Sequence, residues 1–134
     1  MSEILFFFEK LQLYQHARAF RIRIYKLARL LPKDEYKLKV QMRDAARSLT
    51  NNIAEGHGRY TFKDRKRFMT DSRGSLQELA DDINLCEDEN YPKPEHLADL
   101  KMDARNLLIE LSAYTKYLRE QDAAASPPQS SART

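Results

Sequence analysis

The run Leu97-Ala-Asp-Leu100-Lys-Met-Asp-Ala104-Arg-Asn-Leu107-Leu-Ile-Glu-Leu111-Ser-Ala-Tyr114-Thr-Lys-Tyr-Leu118 decides the fold class. Its anchoring positions Leu97, Leu100, Ala104, Leu107, Leu111, Tyr114 and Leu118 recur alternately three and four residues apart. A 3.6-residue helix places such positions on a single stripe, and the stripe needs apolar cover. The pattern predicts a helix from about Glu95 to Gln121, behind a loop at Asp88-Glu-Asn-Tyr-Pro-Lys-Pro94. Upstream, Phe68, Ser72, Ser75, Leu79, Ile83 and Cys86 form a second stripe, opened by Thr61 as N-cap with Asp64 three residues on. Ser72 and Ser75, with Gly74 beside them, predict a place where another helix comes close.

A third stripe, Leu38, Met42, Ala45, Leu49 and Ile53, predicts a helix from Asp34, as N-cap, to about Glu55. The fourth, Leu13, Ala17, Phe20, Ile24, Leu27 and Leu31, lies between Phe8 and Leu31 and stops at Pro32. Gly56-His57-Gly58, with Glu55, reads as the turn between the second and third helices, the glycines supplying freedom for a reversal. Four helices with short connections predict an all-α, antiparallel up-down-up-down four-helix bundle spanning residues 1–122. The Pro/Ser-rich remainder, 123–134, reads as a disordered tail.

The 134 residues include one Cys, three Gly and no Trp. That excludes a disulfide framework and a Cys-rich zinc module, and fits a reducing cytoplasm. No apolar run approaches the ~20 residues of a membrane span, and the first residues carry no basic leader. The net charge of +3 hides an asymmetry. Residues 9–73 hold 17 Lys/Arg against 7 Asp/Glu, and residues 74–134 hold 6 against 12. Either the two halves neutralise each other on folding, or the basic half meets a polyanion.

No catalytic constellation assembles along the chain. Glu55 and His57 are two apart and Glu95 and His96 adjacent, so the Glu-x-x-His spacing of a di-metal bundle is absent. Gly56-x-Gly58 lacks the Gly-Lys-Ser/Thr of a phosphate loop, and Cys86 falls on a core stripe. The expectation is no enzyme activity, no metal and no cofactor. The cations form a stronger pattern. Arg59, Lys63, Arg65, Lys66, Arg67 and Arg73 crowd the loop and start of the third helix, where the helix dipole favours acids. Lys39, Arg43 and Arg47 form a row on the second helix, and Arg18, Arg21 and Arg29 lie off the stripe of the first. One basic track that binds RNA or DNA phosphates without reading sequence is the leading expectation. An interaction scaffold whose acidic half meets a basic partner is the alternative. Tyr60 and Phe62 interleave the track as base-stacking or anchoring aromatics.

Two motifs carry a resemblance: Asn52-Ile-Ala-Glu55-Gly56-His57-Gly58-Arg59, and Ser72-Arg73-Gly74-Ser75-Leu-Gln-Glu-Leu79. With Leu11-x-x-Tyr14-x-x-Ala17 before them, the chain from Leu11 to Leu118 resembles bacterial four-helix-bundle proteins from intervening sequences of 23S rRNA genes. The same fold group includes the accessory variability proteins of diversity-generating retroelements. His57 stands where the family usually carries an aromatic residue, and Tyr14 where Trp is frequent. The resemblance implies a homopentameric ring with a basic surface and no enzymatic activity. In the retroelement branch, it implies a reverse transcriptase and template RNA as partners. Ile22, Leu30, Val40, Leu108 and Ile109, apolar yet off the stripes, are the candidates for the subunit interface.

Overall fold

A computed structural model describes residues 3–125, all helical or loop within that range. Four helices carry the fold: α1 (Gln12–Leu30), α2 (Tyr36–His57), α3 (Phe62–Asp88) and α4 (Pro94–Ala125). Each packs on the next, α4 closes against α1, and across the diagonal His57 of α2 reaches Tyr114 of α4. Short connections make successive helices antiparallel, and cross-helix bonds link every neighbouring pair. Arg21 donates to Thr50 (2.8 Å), Ser72 to the Leu49 carbonyl (2.9 Å), Lys101 to Glu87 (3.1 Å), and His16 meets Glu110 at 2.7 Å. The predicted stripes of α1, α2 and α4 line the core, with Phe20, Ile24, Leu49, Ile53 and Leu111 almost wholly buried. Truncating Leu49 or Ile53 to Ala costs about 2–5 kcal/mol, the transfer loss plus an unfilled cavity.

The stripe of α3 is corrected by one position at two points. Met69 and Leu76 are buried, while Phe68 and Ser75 sit half-buried at its edge. Both stripes have 3–4 spacing, and the buried one keeps Phe68 free to meet two arginines, described below. Asp34 is not a cap: it lies in a 3-10 turn, Lys33–Glu35, and α2 begins without a side-chain cap. Thr61 does cap α3, its hydroxyl accepting from the Asp64 amide at 3.2 Å. A 3-10 turn, Phe7–Lys10, replaces the first turn expected for α1. Glu9 turns back there to accept from the amides of Leu5 and Phe6, and those bonds hold its carboxyl below the usual range.

The second-to-third connection also differs from expectation. Glu55, Gly56 and His57 are still helical, and Gly58 closes α2 at φ −86°, which any residue adopts. Gly56 is required by close approach instead. A Cβ there would lie 2.7 Å from both Phe68 Cβ and Met69 Cε of α3. This is the tight crossing that the sequence placed at Gly74. Gly74 itself is exposed and has nothing within 4 Å of where its Cβ would be. Ser72 and Ser75 face α2, the latter bonding Ser48 at 2.9 Å. At the far end, α4 continues to Ala125, past the boundary at 122, because Ala123-Ala-Ala125 favours the helix. The rest of the predicted tail, 126–134, lies outside the described residues.

Candidate nucleic-acid interface

The end of α2, the start of α3 and the end of α4 meet at one end of the bundle. There, the short turn Arg59-Tyr-Thr61 is tied down by its own arginines. Arg59 pairs with Glu55 (2.9 Å), one helical turn back, and Arg65 Nε donates to the Arg59 carbonyl. The guanidinium groups of Arg59 and Arg67 both lie 4.9 Å from the centre of the Phe68 ring. Each contact is a cation–π attraction. Arg59 and Arg65 therefore each hold the turn through one hydrogen bond to the protein. Lys63, Lys66, Arg67 and Arg73 are exposed and make no ion pair with a described carboxylate.

Lys66 and Arg73 line a groove of about 200 Å3 between α3 and α4, with Thr70, Ser112, Thr115 and Arg119. Three cations and three hydroxyls converge there, and no carboxylate lines it. Arg119 was absent from the sequence-derived set because it follows Leu118 in an acidic stretch. The antiparallel register of α3 and α4, which sets it opposite Lys66, was the available signal.

The predicted row on α2 does not extend this surface. Arg43 lies 5.6 Å from the Tyr25 ring of α1, its Nε buried and without a hydrogen-bond partner, and Arg21 bonds Thr50. Both belong to the seam between α1 and α2, on the opposite side of the bundle from the α3–α4 groove. Arg21 and Arg29 flank a small cleft on that side, with Ile22 and Tyr25. Arg18, Arg29 and Arg47 are exposed and Lys39 is half-buried. The single basic track expected from sequence is corrected to two separate faces.

His57 ends α2 and is partnered on both sides of its ring. Its ring stacks on Phe7 with centroids 4.9 Å apart, and Nδ1 lies 2.6 Å from the Tyr114 hydroxyl. Burial, then the charge of Arg65, hold its pKa below the usual value. Burial raises the pKa of the Tyr114 hydroxyl that shares this hydrogen bond. Tyr117 stacks next to Tyr114, extending the ladder from Phe7 along α4. The ladder ties the N-terminal segment to α2 and α4. Nothing in the sequence spacing announced it, since its members come from three distant stretches.

Among the described residues no three His, Cys, Asp or Glu side chains gather as metal ligands would, and no helix is long and apolar enough to cross a membrane. Cys86 is buried as a free thiol, its pKa pushed up to about 11 chiefly by burial. A family model described as 23S rRNA-intervening sequence protein matches residues 9–122. The chain belongs to the 23S rRNA-intervening sequence protein family. The match to this family covers α1, α2, α3 and α4 as far as residue 122, and residues 52–59 and 72–79 lie within it. No curated protein matches the chain significantly.

Proposed function

We propose that this chain is a non-enzymatic nucleic-acid-binding protein that grips RNA or DNA by its phosphates along the α3–α4 groove. The observation that carries the reading is the groove's lining: Lys66, Arg73 and Arg119 with three hydroxyls and no acid. Unpaired cations so arranged repel one another, and a phosphate backbone removes that repulsion while releasing its own counterions. The membership of a family named for a 23S rRNA intervening sequence agrees with RNA as the polyanion. The competing scaffold reading draws on the acidic half, where Asp99, Asp103 and Glu110 of α4 already meet Arg23 and His16 of α1, and Glu87 of α3 meets Lys101.

Two narrower readings belong with this proposal. The first is self-association into the homopentameric ring that the resemblance implies. Ile22, Leu30, Val40 and Ile109 are exposed, with Met102 (50 %) and Ile109 (57 %) one above the other on the outer side of α4. Leu108 leaves that set, being packed against the core. Light scattering that reports five chains supports the ring, and a stable monomer removes it. The second is service as an accessory to a reverse transcriptase, which rests on the two motifs alone. Co-purification with a reverse transcriptase and its template RNA tests it.

The phosphate-binding reading is tested by fluorescence anisotropy with a labelled RNA. Lys66→Gln with Arg73→Gln weakens binding about tenfold or more, since two phosphate contacts are lost. Charge reversal at Lys101 and Lys116, on the acidic half, leaves it nearly unchanged. A larger loss from the second pair would place the binding face elsewhere on the bundle.

A further inference from the structure

Tyr60 is 97 % exposed, the most open large apolar or aromatic side chain among the described residues. It stacks on no other described ring, so the fold draws nothing from it. The turn that holds it is firmly built all the same, through Arg59–Glu55, the Arg65 bond to the Arg59 carbonyl, and the Thr61 cap. Beside Tyr60 opens a cleft of about 540 Å3, lined also by Phe8, Glu55, Arg59 and Asp64. Glu55 is paired with Arg59 there, and with Asp64 added the cleft carries no surplus positive charge for a phosphate. The exposed cations Lys63 and Arg67 stand outside the cleft, one helical turn apart on α3. A polyanionic strand crossing this end lays its backbone on the cations and turns an uncharged group toward the cleft. The uncharged group of a nucleic acid is the base. In a duplex both faces of each base are covered by stacking, so only an unpaired nucleotide can offer a face to Tyr60.

We propose that the α2–α3 turn is a stacking seat for an unpaired base, with Tyr60 as its platform. This makes the interface selective for single-stranded over duplex nucleic acid. The inference rests on the phosphate-binding reading above and adds to it the class of strand bound.

The test uses the full chain and two fluorescein-labelled probes. One is a 12-nucleotide RNA of A and C only, which cannot pair with itself. The other is the same strand annealed to its complement. Tyr60→Ala is expected to weaken single-strand binding about tenfold, within the range measured for loss of one base–aromatic stack. Its duplex affinity and melting temperature stay at wild-type values, and Tyr60→Phe, which keeps the ring, restores single-strand binding. Equal effects of Tyr60→Ala on both probes, or none on either, overturn the seat while leaving the phosphate contacts standing. Failure of the wild-type protein to bind either probe removes the phosphate-binding reading, and the seat with it.

Discussion

At the scale of single residues, two glycines make opposite predictions. Gly56→Ala drives a methyl into Phe68 Cβ and Met69 Cε, and Phe68 Cβ is fixed to the backbone of α3. The expected loss is about 1–3 kcal/mol, reduced by the better helix propensity of Ala. Gly74→Ala meets open space in a helix and gains about 0.5–1 kcal/mol. Urea unfolding of both variants checks the pair. Asp82 supplies a pH test. Only 8 % exposed, with Oδ2 unpartnered, its carboxyl is pushed up to about 6 by burial, then by Glu78 and Asp81. The folded chain therefore holds a proton that the unfolded chain, with a value of 3.8, has released. Stability from this group is complete below about pH 4, falls as pH rises to about 6 and is flat beyond. Asp82→Asn is expected to gain about 1–3 kcal/mol over wild type at pH 7.5 and almost nothing at pH 4. His57 acts in the opposite sense, its stability contribution shrinking as pH falls through and below 6.5. The importance of Gly56 was legible in the motif, but not its reason. A glycine between two helices and a glycine in a reversal look alike until the helices are packed.

At the scale of elements, the end of α3 is built around Asn90. It adopts φ 60°, and the next amide, of Tyr91, reaches back to the Cys86 carbonyl at 2.8 Å. This left-handed closure is one that Gly adopts freely and Asn tolerates. Asn90→Gly is expected to be neutral or to stabilise slightly, and Asn90→Ala to cost about 1 kcal/mol, read as a shift in melting temperature. The stripes of α1, α2 and α4 were legible because each places its large aliphatic residues on one face. That of α3 was ambiguous. Phe68 and Met69 are adjacent, as are Ser75 and Leu76, and either member of each pair fits a 3–4 spacing. Packing chose Met69 and Leu76, leaving Phe68 between Arg59 and Arg67. The cluster from Arg59 to Arg73 was legible as composition. Its division into turn-holding Arg59 and Arg65 and solvent-facing Lys63, Lys66, Arg67 and Arg73 depends on geometry that spacing does not carry.

At the scale of the whole molecule, the charge asymmetry resolves into two parts. On the α1–α4 side, Arg23 meets Asp99 (2.7 Å) and Asp103, and His16 meets Glu110, so the halves do neutralise locally there. Exposed pairs of this kind contribute about 0–1 kcal/mol each, so they set the register of α1 and α4 more than they hold the bundle. On the α3–α4 side Lys101 meets Glu87, but Lys66, Arg73 and Arg119 make no ion pair with a described carboxylate and converge on the groove proposed to take phosphates. The most direct measurement is RNA affinity as a function of salt, for the wild type and for Lys66→Gln/Arg73→Gln/Arg119→Gln together. A linear fall of log K with log salt is expected, with a slope shallower by about two in the triple variant, since each lost phosphate contact on a single strand removes about 0.7. An unchanged slope in the triple variant would contradict phosphate binding in the groove.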